Sequence, residues 1–152
     1  MDLIQFLEAE SEQIVTEATE SLTRSNLARY NEAGPRVSRE RLAELFRMTV
    51  AGIRDRDLSL INEYMGQVAH DRYHAGYAIR EVQIAINVLE EAIWTHIVRA
   101  APPEQLAEAL GLVSTTLGAA KDALARGYVS LACEGKAPSL DLSALFEGKT
   151  SG

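Results

Sequence analysis

One cysteine, Cys133, stands among the 152 residues, so no disulfide can close within the chain. With no signal-peptide pattern at the start, this gives the expectation of a reducing, cytoplasmic setting. Bases are absent from residues 1–23, which hold six acids: Asp2, Glu8, Glu10, Glu12, Glu17 and Glu20. The whole chain carries a formal charge of −7. Nucleic-acid binding needs a basic footprint that releases counterions, so that function class is disfavoured. Polybasic membrane attachment fails on the same ground. Long hydrophobic runs are missing too. Arg80, Glu81, Glu90 and Glu91 interrupt the most apolar stretch, residues 79–98, which excludes a membrane span there.

Strand patterning is also absent, because no segment alternates apolar and polar residues with β-branched and aromatic content. Nor is there a GxSxG, P-loop, GxGxxG or HExxH motif. Acyl transfer, nucleotide binding and zinc proteolysis thereby lose their usual signatures. A di-iron bundle wants ExxH pairs, and the chain has none. The expectation is a protein that is not an enzyme.

What is present is helical periodicity. An apolar fraction of 47% with 24% charged residues suits one ordinary globular domain, and its length suffices for a core without staples. A first helix is predicted from about Asp2 to Ser25, with Leu3, Leu7, Ile14, Ala18 and Leu22 near helical spacing. Residues 30–37, with Gly34-Pro35, read as a loop. Ser38 suits the N-cap of a second helix running to about Asp55. A third spans about 58–74 and ends at Gly76. A long fourth helix follows to about Ala100, apolar on nearly every side, and so is expected to be wrapped by the rest of the fold.

Pro102-Pro103 opens a last helix to about residue 133. Its Leu106, Leu110, Val113, Leu117, Ala120, Leu124, Tyr128 and Leu131 step by three and four, close to a coiled-coil seam. Such a seam pairs with a second subunit or packs within the bundle, and the spacing fits both. The organisation expected is an all-α, globin-like bundle of five long helices over residues 1–133. Residues 134–152 form a tail or linker in which Leu140, Leu142, Leu145 and Phe146 suggest a short amphipathic helix.

Three histidines are candidate ligands. His70 and His74 are four residues apart and share a helical face, but zinc needs a third protein ligand, and His96 lies more than twenty residues on. No metal site is expected. An axial role for His70, His74 or His96 towards noncovalent haem is the alternative reading, since no CxxCH motif is present. Arg72 and Glu81 flank the glycine break among apolar neighbours, and an ion pair between them would fix the corner.

The run Arg72-Tyr73-His74-Ala75-Gly76-Tyr77-Ala78-Ile79-Arg80-Glu81-Val82 resembles the centre of the RsbRD N-terminal domain family, the sensory halves of stressosome co-antagonists. The pattern maps onto Arg72, Gly76, Ile79, Glu81 and Val82, with Leu89 and Trp94 in the aliphatic stretch that follows. The likeness extends loosely over residues 10–130. It implies a non-enzymatic globin-like domain, usually dimeric and usually without haem, placed ahead of an output module such as a STAS domain. No output domain follows Gly152, so the expectation is an excised sensor half or a stand-alone version acting through a partner protein. The functional expectation is therefore signal input by a homodimer, with no cofactor. Leu3, Leu7, Ile14, Leu117, Leu124, Tyr128 and Leu131 are expected at the subunit interface, and Arg72, Gly76 and Glu81 at the structural corner.

Overall fold

The computed structural model describes residues 1–136, and every described element is helical. The helices are α1 (Leu3–Ala9), α2 (Ser11–Arg24), α3 (Ala28–Ala33), α4 (Pro35–Asp55), α5 (Ser59–His74), α6 (Ile79–Ala100) and α7 (Pro103–Lys136). The expected five become seven because of two local events. The first helix bends at Glu10, although hydrogen bonding runs through the bend: Glu10 N–H donates to Phe6 and Ile14 N–H to Glu10. The expected loop at 30–37 is mostly helical, since α3 ends at Gly34 (φ +88°) and Pro35 takes the first position of α4. Proline there loses nothing, because a first-turn N–H has no intrahelical partner. Ser38 is thus not a cap but a buried residue inside α4.

Two helix ends share one stop. At the end of α5 the Gly76 N–H donates to Tyr73 and the Tyr77 N–H to Arg72, with Gly76 at φ +86°. This is a Schellman closure, which satisfies carbonyls the helix would otherwise orphan. At the end of α4 the same pair of bonds runs from Arg56 to Ile53 and from Asp57 to Gly52. There a non-glycine, Arg56, holds the left-handed position at φ +51°.

α6 packs against α2 and α7, α7 packs against α5, and α4 closes the arrangement by meeting both α2 and α5. The core is continuous through all of them and includes Leu7, Ile14, Leu22, Ile61, Met65, Ile86, Leu89, Ile93, Ile97, Val113, Leu117 and Leu124. α6 is not enclosed on every side. Val82, Ile86, Leu89, Ile93 and Ile97 face the core, whereas Trp94 and Val98 are 40% and 55% exposed. No helix of the described residues is long and apolar enough to cross a membrane. The amphipathic segment expected at Leu140–Phe146 lies outside the described residues.

Candidate functional site

Two places carry more polar or apolar chemistry than packing requires. One is the α5–α6 corner, and the other is the outer face of α6.

The corner is organised by Tyr77, which follows Gly76 and is 8% exposed. Its hydroxyl accepts from Arg41 Nη1 at 2.7 Å and donates to the Arg29 carbonyl at 3.4 Å. Its carbonyl accepts from the Tyr128 hydroxyl at 2.9 Å. Tyr30 meets the ring edge-on, with centroids 5.1 Å apart. The guanidinium carbons of Arg41 and Arg72 stand 5.6 Å and 5.7 Å from the ring centroid, within the distance at which a cation is attracted to a ring face. One residue thus ties α3, α4, α5 and α7 to the start of α6.

The tyrosines respond to this burial. Tyr30 is pushed up to about 12 by desolvation, with the Arg72 and Arg41 guanidinia pulling the other way. Tyr128 is likewise pushed up to about 12 by desolvation. Tyr64 is raised by burial and by the neighbouring Glu44 carboxylate.

Of the expected corner residues, Gly76 holds the left-handed position that closes α5. The Arg72–Glu81 ion pair does not form. Arg72 Nε and Glu81 Oε2 are each buried without a hydrogen-bond partner, and Arg72 turns instead to the Tyr77 ring. The Schellman turn sets the angle between the helices through backbone bonds, so no salt bridge is needed to hold it. Arg41 and Tyr77 were not singled out in the sequence. Tyr77 sits at the position after the left-handed glycine, where a hydrophobic contact back onto the helix is common, and that was the available signal.

The expected interface residues require correction. Leu7, Ile14, Leu117 and Leu124 are fully buried within the chain, Tyr128 is buried, and Leu3 packs half-buried on the core. A side chain already enclosed in its own protomer has no surface to offer a partner. Leu131 alone of the set is half-buried outside the core cluster. The three- and four-residue steps of α7 therefore report packing on α5 and α6.

The histidines separate into two situations. His70 and His74 are exposed on one face of α5 with ring centroids 4.5 Å apart. His96 is 7% exposed and held between two carboxylates, Glu17 at 2.9 Å from Nε2 and Glu10 at 3.6 Å from Nδ1. Those carboxylates lie on opposite ring edges and do not converge on one point. Nε2 shares a hydrogen bond with Glu17, whereas Glu10 stands beyond hydrogen-bond distance of Nδ1.

The outer face of α6 forms an open groove of about 510 Å³ lined by Asn87, Glu90, Glu91, Trp94, Thr95, Val98 and Arg99. Trp94 and Val98 are one helical turn apart and supply its apolar floor. Glu90 is tied to Lys121 on α7 at 2.7 Å. Glu91 and Arg99, towards opposite ends of the groove, form no ion pair among the described residues. A helical wheel shows this face opposite Leu89, Ala92 and His96, which are buried, so the signal was present but hidden behind the overall apolar character of the helix.

Comparison with protein-family models, with curated proteins and with solved structures found no match.

Proposed function

We propose that this chain is a non-enzymatic, globin-like input domain of bacterial signalling, stressosome-type, working in the cytoplasm. It acts by pairing with a second copy of itself and by contacting an output domain or partner protein, without a cofactor. The resemblance of residues 72–82 to the RsbRD N-terminal domains supports the class of function. The observation that carries the protein-contact reading is the Trp94–Val98 groove. Tryptophan is enriched among the residues that anchor protein interfaces, where the contact desolvates it fully.

The second copy is favoured by the charges around the groove. An antiparallel, two-fold pairing of α6 with its copy is self-complementary, as isologous contacts must be. It sets Glu91 of each subunit beside Arg99 of the other, with Trp94 and Val98 between them. Movement of this contact would be the signal, read as a shift between two packings.

The test is the mass of the purified chain in solution. Trp94→Glu should leave helical content unchanged and convert dimer to monomer. Leu124→Glu should instead unfold the chain, because Leu124 has no exposed surface. A monomeric wild-type chain at high concentration defeats the proposal.

A further inference from the structure

The cavity beside the corner has a wall chemistry that packing does not account for. It encloses about 30 Å³ between α3, α4, α5 and α6. Its polar wall consists of Arg41, Arg72, Tyr30, Tyr64 and Ser38, and the remainder is aliphatic or thioether. No carboxylate lines it. Arg36, Arg47 and Arg54 each have a carboxylate partner, but Arg41 and Arg72 have none within ion-pair distance among the described residues. Arg72 Nε is, moreover, a buried donor with no acceptor.

A half-buried guanidinium without a counter-charge is costly, and two of them around the same tyrosine ring add mutual repulsion. Water in the cavity would satisfy donors but leave both charges uncompensated. An occupant that only accepts hydrogen bonds and carries one negative charge satisfies the donors, offsets one of the two charges and screens their mutual repulsion. Size bounds the choice. A single water needs about 10–15 Å³ of such space, so this cavity admits a species of about three heavy atoms or fewer. On the far side of Tyr30 and Ser38, at the ends of α2 and α3, lies a cleft of about 250 Å³, so these two side chains separate it from the cavity.

We infer that this cavity binds a small monovalent oxyanion of formate size, held between the Arg41 and Arg72 guanidinia. The hydroxyls of Tyr30, Ser38 and Tyr64 complete its hydrogen bonding. Planar carboxylate geometry suits the guanidinium fork, which presents parallel N–H donors. The inference does not depend on subunit pairing, because every wall residue comes from one chain.

The experiment is thermal unfolding of the full chain in sodium formate against sodium gluconate at equal ionic strength. Gluconate carries the same charged group on a body too large for the cavity. A ligand bound only by the folded state raises Tm with saturation. The expected result is a saturable upward shift in formate and none in gluconate. The shift should vanish in Arg72→Met and persist in Arg36→Met, which alters an exposed arginine.

Ala85→Val provides a second reading, since it narrows the cavity while keeping both guanidinia, and it too should abolish the shift. If Arg72→Met fails to fold, Ala85→Val and the line broadening of carbon-labelled formate by the wild-type chain decide. Equal Tm in both salts would overturn the inference and leave a water-filled cavity. A formate shift that survives Ala85→Val would overturn it equally, by placing the anion elsewhere.

Discussion

Gly127 on α7 faces Ala69 on α5 so closely that a Cβ built on the glycine would stand 2.6 Å from the alanine methyl. No real pair of carbons tolerates that distance, and both atoms would be fixed to backbone. The α5–α7 contact is the most extensive between any two helices here, so the strain cannot be relieved without separating them.

Gly127→Ala should therefore destabilise the fold by about 1–3 kcal/mol, despite alanine's better helix propensity. Gly111 and Gly118 lie on the same helix with nothing within 4 Å of an added Cβ. There the same substitution should stabilise by about 0.5–1 kcal/mol. Urea denaturation of the three variants checks this, and a common sign for all three would refute the packing argument.

Tyr128→Phe removes the hydroxyl that reaches the Tyr77 carbonyl and leaves that buried acceptor unpaired. A loss of about 1–3 kcal/mol is expected. Hydrogen exchange should speed up first at the start of α6, where the bond anchors the corner. A stability equal to wild type would mean that water replaces the hydroxyl without cost.

Arg56 holds a left-handed backbone that an L side chain adopts at a cost, while its contact with Glu108 is a 4.0 Å exposed pair. Surface pairs of this kind contribute little. Arg56→Gly should raise stability by about 0.5–1 kcal/mol. A lower Tm in that variant would show that the side chain contributes more than the turn costs.

Alkali should unfold the chain before it ionises the buried tyrosines. Tyr30 and Tyr128 are pushed up to about 12 by burial, whereas an unfolded tyrosine ionises near about 10. Across that interval the unfolded chain has released protons that the folded chain retains. Stability is thus fully present below about pH 10 and is lost as pH rises towards about 12. Urea midpoints measured along this range should fall, and Tyr30→Phe should flatten part of the decline. A midpoint constant up to about pH 12 would contradict the burial of these hydroxyls.

These residues also mark what was legible beforehand. The spans of α5 and α6 and the stop at Gly76 could be read because glycine, lacking a Cβ, takes a positive φ without steric cost and so marks helix ends. The bend at Glu10 carries no glycine or proline, so nothing local announced it. Ser38 looked like a cap by residue type, but Gly34-Pro35 set the helix start four residues earlier. The seam on α7 was visible, yet spacing records only that a face is buried, not whether its own chain or another covers it. The same ambiguity hid the corner. Arg72 was found by its apolar neighbours, but its partner is an aromatic ring nearby in the turn, not the expected carboxylate. Arg41, thirty-six residues before Tyr77, could be joined to it only by the fold.

The central claim is that α6 pairs with its copy through Trp94, Val98 and crossed Glu91–Arg99 contacts. Sedimentation equilibrium of the wild-type chain, Glu91→Arg, Arg99→Glu and the double variant tests it in one series. Each single reversal sets like charges together twice in the dimer, and should weaken pairing by about tenfold or more (about 1.4 kcal/mol). The double variant restores opposite charges and should regain the wild-type dimer. Recovery in the double variant alone is the predicted result, whereas four chains of identical association state would contradict the account.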